Sequence, residues 1–272
     1  MKTWNIGNTT VRNPYRLREA LQLFERTMSG RPFKRPEQQE FLNELVQAGL
    51  VDSSRSAEGD DGGRKFASAF KQLGFTTDWS RGNSWSLTPV GIKLIEHPEL
   101  EELIFLRQLV KYQIPSPLES GSKVEGFYVR PFRLLLRFLK RAREENLIGL
   151  TKFEIALYVI NVLDENNTQA FEDAISNIKR FRTEYEALTG KVNKNKLVNQ
   201  KLQEVAVQVS LKPGSLLDYA DSNGRYALIT GLLTVHGNKL ALSEARLPII
   251  EAILSDGTSL VPENEYLTFF IV

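Results

Sequence analysis

The chain has 272 residues and no cysteine, so it can bury one large core or two modest ones but can form neither a disulfide nor a thiolate metal site. Apolar residues make up 42% and charged residues 25%, the proportions of an ordinary globular fold. No segment offers the roughly eighteen uninterrupted apolar residues of a membrane helix, and the opening MKTWNIGNTT lacks the apolar core of a signal peptide, which together point to the cytoplasm.

The net charge of +2 averages blocks of opposite sign. Residues 1–36 hold eight Lys or Arg against Glu19 and Glu25, whereas residues 37–63 hold Arg55 against seven acids. Such segregation suits a surface that faces a polyanion, and equally a solvated surface of uneven sign.

The segment NTTVRNPYRLREALQLFERT opens polar, places Pro14 at a helix start and continues with Leu17, Leu21 and Phe24 at helical spacing. Thr9, Thr10, Arg12, Asn13 and Arg16 crowd its beginning, a polar and basic set suited to an arm on a nucleic-acid backbone. RPEQQEFLNELVQAGLV gives a second helix, with Pro36 in its first turn and Gly49 at its end. The polar, glycine-rich run 53–63 reads as a loop. A third helix from about Arg64 to Leu73 keeps Phe66, Phe70 and Leu73 on one face and leaves Arg64, Lys65, Ser68, Lys71 and Gln72 on others. Long donors on an outward face match the geometry of major-groove readout. FTTDWS and SWSLT then flank Arg81-Gly82-Asn83 as a hairpin, with Arg81 and Asn83 placed to steady it on phosphates, and PVGIKLIEH starts another helix. Trp79 and Trp85 beside that turn read first as packing residues. Three helices followed by a two-stranded ribbon is the order of a winged helix-turn-helix, in which the third helix enters the major groove.

ELEELIFLRQLVKYQI follows as an amphipathic helix, and Pro115, Pro117 and ESGSKVEG mark a connection that places a domain boundary after residue 118. PFRLLLRFLKRAREE is helical, with Arg133, Arg137, Lys140 and Arg141 as a basic stripe beside an apolar face. LTKFEIALYVINVL opens with Thr151 and Glu154 in a capping-box spacing. Residues 168–188 read as a long helix, followed by the lysine-rich GKVNKNKLVNQK. A helix through Ala227, strands around VHGNK and the helix ARLPIIEAIL then repeat the order of the first unit, with Gly224-Arg225 in the place of Gly63-Arg64 and His236-Gly237-Asn238 in that of Arg81-Gly82-Asn83. The repeat rests on order, since few residues are identical.

Catalytic signatures are missing from the sequence. A PD-(D/E)XK nuclease site needs a carboxylate two residues before a lysine, and no Asp or Glu in the chain has one. His97 and His236 have no second histidine at ligand spacing and read as structural. Neither GxGxxG, GxxxxGK[ST] nor GxSxG is present in a productive context. The chain reads as a binder.

The segments WNIGNTTVRNPYRLREAL, GRKFASAFKQLGF, LTPVGIKLI, FLRQLVKYQIPSPL and GLTKFEIALYVI, in that order, resemble the amino-terminal part of the AlwI family of type IIS restriction endonucleases and their nicking relatives. The resemblance spans roughly residues 1–256. It implies a recognition region of winged-helix-like subdomains, joined in such enzymes to a C-terminal PD-(D/E)XK nuclease that cuts a few bases from a short asymmetric site with magnesium. The absent carboxylate–lysine spacing is the departure from a whole enzyme, and the apolar ending EYLTFFIV fits a chain continued elsewhere.

The expected fold is therefore mainly α with small β-hairpins, an α+β chain of two winged-helix-like subdomains at 1–118 and 119–256, with 257–272 beginning a linker to a nuclease domain. The expected partner is double-stranded DNA carrying a short asymmetric site, together with a nuclease domain or subunit, and no membrane. No cofactor is expected in this chain, and Mg2+ in the nuclease. Two other classes share parts of this pattern. A winged-helix transcriptional regulator would bring a dimerisation helix or a ligand domain and bind a palindrome, and a protein-interaction module would bind no DNA.

Overall fold

Apolar residues spaced three and four apart carry most of the chain into helices, and among the described residues two small antiparallel sheets complete it. The computed structural model describes residues 2–11, 13–52, 54, 61–77, 84–118 and 125–272. Two compact units divide the chain. The first comprises Gly7–Tyr112, Ser116–Ser120 and Val261–Val272, and the second Met1–Ile6, Gln113–Pro115 and Gly121–Leu260.

In the first unit a 3-10 turn, Pro14–Arg16, leads into α1 (Leu17–Thr27). The Asn13 side chain accepts the Tyr15 N–H at 3.1 Å, and Pro14 fills a position whose N–H would have no partner. Helices α2 (Arg35–Gln47) and α3 (Gly62–Gln72) follow, then strands β1 (Thr76–Thr77) and β2 (Ser86–Leu87), α4 (Pro89–Glu96) and α5 (Glu101–Lys111). The strands are antiparallel, with Thr76 opposite Leu87. Aromatic rings form the core: Phe24 meets Phe41 at 5.3 Å and Phe70 at 5.9 Å, both edge-on. Thr88 caps α4 by accepting from the Gly91 N–H, and its hydroxyl donates to the Gly74 carbonyl at 2.6 Å, which fixes the chain after α3. The last helix, α12 (Glu263–Phe270), packs in this unit through buried Tyr266 and Phe270. Buried Gln108 of α5 donates to Leu73 O at 3.0 Å and to Phe270 O at 2.8 Å, so one amide serves the ends of α3 and α12.

The second unit is built on α6 (Pro131–Glu144), whose Phe132, Leu135, Leu136 and Leu139 are buried, and whose Phe138 packs 4.4 Å from Phe171. A short strand, β3 (Leu150–Thr151), runs into α7 (Lys152–Glu154), which continues as a π turn over Ile155–Val159. The capping box forms as expected: Thr151 N–H donates to Glu154 Oε2 at 2.7 Å, and Glu154 N–H to Thr151 Oγ1 at 3.2 Å. Glu154 is 1% exposed and its charge is answered by Arg182, which also donates to the Gly149 carbonyl. Removing the arginine would strand a buried carboxylate, at about 3–5 kcal/mol. Helices α8 (Thr168–Ala187), α9 (Lys191–Gln208) and α10 (Pro213–Leu228) lead to β4 (Leu233–His236), β5 (Lys239–Leu242) and α11 (Leu247–Ser255).

Two elements of this unit lie outside what the sequence suggests. The lysine-rich stretch is helical as part of α9, held by the single stripe Val198, Leu202 and Ala206. The hairpin is part of a three-stranded antiparallel sheet, ordered β3-β5-β4 with β5 central, in which Leu150 stands opposite Leu240. Gly149, at φ +64°, lets β3 close on β5, because a Cβ there would collide with the Leu240 carbonyl. Among the described residues no helix is long and apolar enough to cross a membrane.

Candidate functional site

The outward face of α3 is set by how its inner face packs. Phe66, Ala67, Ala69 and Phe70 are buried, and Gly63 approaches α2 so closely that a Cβ would collide with the Gln38 carbonyl oxygen. Arg64 and Ser68, four residues apart, are exposed as one stripe, with Lys65 and Lys71 half-exposed beside it. Asp61, just before the helix, pairs with both Arg64 and Lys65. Burial raises its carboxyl, and the bonds from Lys65 and Arg64 more than offset this, leaving its pKa below the ordinary aspartate value. Lys71 lies 5.6 Å over the Trp85 ring, and Trp85, half-buried, in turn packs 5.2 Å from Phe33 against the aromatic core.

Gln72, also a candidate for base readout, has both ends of its amide engaged within the fold. Its Nε2 donates to the Tyr112 hydroxyl at 2.8 Å and its carbonyl oxygen accepts the Gly7 N–H.

The amino-terminal arm and the start of α3 meet at one cleft, lined by Thr10, Asn13, Arg16, Leu50, Val51, Asp52, Gly62 and Phe66. Thr9 and Thr10 are half-buried, and the Thr10 N–H donates to Asn8 Oδ1 at 3.0 Å. Asn13 is exposed and occupied as the cap of the 3-10 turn. Arg16 Nη1 donates to the Gly49 and Leu50 carbonyls at 3.1 and 3.2 Å, closing the end of α2 while the side chain stays exposed. Asp52, held below the usual carboxylate pKa by hydrogen bonds from Ser54, brings a negative charge to the same cleft. Arg12, Arg81, Gly82, Asn83 and Trp79 lie outside the described residues.

The basic stripe of α6 is not uniformly solvent-facing. Lys140 pairs with Glu251 and Arg141 with Glu145, both at the surface. Arg133 is 7% exposed, and with Arg130 and Arg137 it lines a second cleft beside Glu165, Asp256 and Thr258. Sequence spacing pointed to Arg133 and Arg137 but not to Arg130, which precedes the helix, nor to their partners more than twenty residues away. Among the described residues no group of three His, Asp or Glu could hold a metal ion.

No curated protein matches the chain. Among solved structures it is similar to one described as pyrene- and phenanthrene-modified DNA in complex with the BpuJ1 endonuclease binding domain. The TM-score is 0.54 at 16% identity, covering 92% of this chain and 87% of that one, a likeness of fold. The family model described as AlwI restriction endonuclease matches residues 71–270, from the end of α3 to the end of α12, and a match over so much of the sequence means that the chain belongs to the AlwI restriction endonuclease family.

Proposed function

We propose that the chain is the DNA-recognition region of a type IIS restriction endonuclease and binds a short asymmetric duplex site. Family membership supports this, as does the fold shared with a binding domain described in complex with modified DNA. The observation that carries the reading is the meeting of Thr10, Asn13 and Arg16 with the first turn of α3 at one cleft, beside the exposed Arg64–Ser68 stripe. In this reading Arg64, Lys65, Ser68 and Lys71 reach base edges. The arm, including Thr9 and Arg12, and the hairpin residues Arg81 and Asn83 take phosphates. Gln72 holds the helix against the arm.

Two winged-helix-like subdomains are proposed, at 1–118 and 119–256, bounds that differ from those of the compact units, which group residues 1–6 with the second unit and 261–272 with the first. Supporting this, a helix leads into an antiparallel hairpin and then another helix in each, α3-β1-β2-α4 and α10-β4-β5-α11. The proposed further partner is a nuclease domain or subunit, which magnesium would serve. Among the described residues, buried Glu154 and Glu165 are each committed to an arginine, and in the sequence no acid stands two residues before a lysine, which supports placing the metal chemistry outside this chain. The proposed location is the cytoplasm. Incubation with supercoiled plasmid and Mg2+ tests the division: binding without nicking is expected, and magnesium-dependent nicking abolished by changing the chain's own acidic residues would contradict it.

A further inference from the structure

The second cleft, in the second unit, is polar, occupies about 230 Å³ and holds an unbalanced set of charges. That space is several times the ~30 Å³ share of a water molecule. Three guanidinium groups, Arg130, Arg133 and Arg137, line it against two carboxylates, Glu165 and Asp256, leaving one positive charge in excess (three minus two). Glu165 is spent on Arg130: it accepts from Arg130 Nε at 2.8 Å and from the Arg130 backbone N–H at 2.7 Å. Arg133 donates from Nη2 to the Asp256 backbone carbonyl at 2.5 Å and more weakly from Nη1 to the Asp256 carboxylate at 3.4 Å, and that carboxylate is itself engaged by the Thr258 N–H and hydroxyl, both at 3.1 Å. Arg137 donates to the Glu165 backbone carbonyl and lies 4.8 Å over the Phe171 ring, and among the described residues no carboxylate pairs with it. Burial, then the neighbouring Arg130 charge, push the Arg133 guanidinium below its usual pKa, against the opposing effect of Glu165 and Asp256. Arginine keeps its charge when buried and presents a planar fork that fits tetrahedral oxyanions in two-point contact.

We infer that this cleft binds an oxyanion of the phosphate class, gripped by Arg137 and Arg133, with Arg130 and Glu165 holding the arginines in place. Glu165 also sets a limit, since its carboxylate would repel an anion that entered past Arg130. The oxyanion could be a backbone phosphate of a bound duplex or a free phosphate, and the chemistry of the grip is the same.

Titration of the full chain with inorganic phosphate, replacing chloride at constant ionic strength, tests the inference through the arginine side-chain Nε–H resonances. A saturable shift of the Arg130, Arg133 and Arg137 signals is expected, with phosphate affinity reduced tenfold or more in Arg137→Gln and unchanged in Lys140→Gln. Shifts that do not saturate, or an affinity unaltered in Arg137→Gln, would overturn it. Should Arg137→Gln fail to fold, Arg137→Lys keeps the charge without the fork and should still bind several-fold more weakly; equal binding would again overturn the site. Repeating the titration with saturating duplex separates the sources: loss of the phosphate response identifies a DNA phosphate as the natural occupant, and its retention a free one. The phosphate response stands without any duplex, so failure of DNA binding and failure of this site are read independently.

Discussion

Gln72 Nε2 donates to the Tyr112 hydroxyl at 2.8 Å, while the other end of the same amide accepts the Gly7 N–H, so the last turn of α3 is tied to the residue after α5 and to the start of the arm. The outward stripe of α3 is thereby held in fixed rotation relative to the arm. Gln72→Ala should cost about 1–3 kcal/mol of stability by leaving buried partners unsatisfied, measured by urea unfolding. A variant of unchanged stability but altered base preference would move Gln72 from the fold to the DNA.

Asp61 neutralises two cations of the proposed interface, Arg64 and Lys65. Asp61→Asn should raise affinity for random duplexes several-fold and steepen the dependence of log affinity on log salt by roughly one unit for each freed cation that reaches a phosphate. The cost to the fold should be small. Because the folded pKa of Asp61 is depressed, its stabilising contribution is present above the unfolded value and lost as pH falls through the folded one, leaving it intact at neutral pH.

The arm makes the opposite prediction. Changing Arg12 and Arg16 together to Ala should weaken binding to specific and random duplexes alike and flatten the salt dependence. Since Arg16 also donates to the Gly49 and Leu50 carbonyls, thermal stability must be measured alongside. An unchanged salt slope would remove the arm from the interface.

Base readout by α3 calls for a different signature. Arg64→Ala, Ser68→Ala or Lys71→Ala should each relax preference at one or two base positions, by about 1–3 kcal/mol for a lost bidentate contact, with smaller effects on random duplex. Selection from a randomised pool reads this out. If no substitution in α3 alters the selected motif, recognition lies elsewhere.

Much of this architecture is legible in the sequence, because α1 to α6 each bury a continuous apolar stripe and several start at a proline or a capping residue. What stayed hidden depends on distant partners. The Val198-Leu202-Ala206 stripe is too thin to mark α9 among so many lysines and asparagines, and β3 is two residues long, recognisable only through its pairing with β5. Gln72 and Arg133 look alike on a helical wheel, as polar residues beside an apolar face. Tyr112 and Gly7 turn the first inward, and the cleft at Glu165 and Asp256 buries the second. Spacing along one helix holds no information about such contacts. The family resemblance was legible from short segments in order, and the family match over residues 71–270 bears it out.

Footprinting of the purified chain on a duplex selected from a random pool tests the central claim most directly. The account predicts one protected, asymmetric short site, with protection weakened by Arg64→Ala or Lys71→Ala and with no strand cleavage in magnesium. A palindromic footprint bound by a dimer would point instead to a regulator, and the absence of protection at any protein concentration would contradict DNA recognition by this chain altogether.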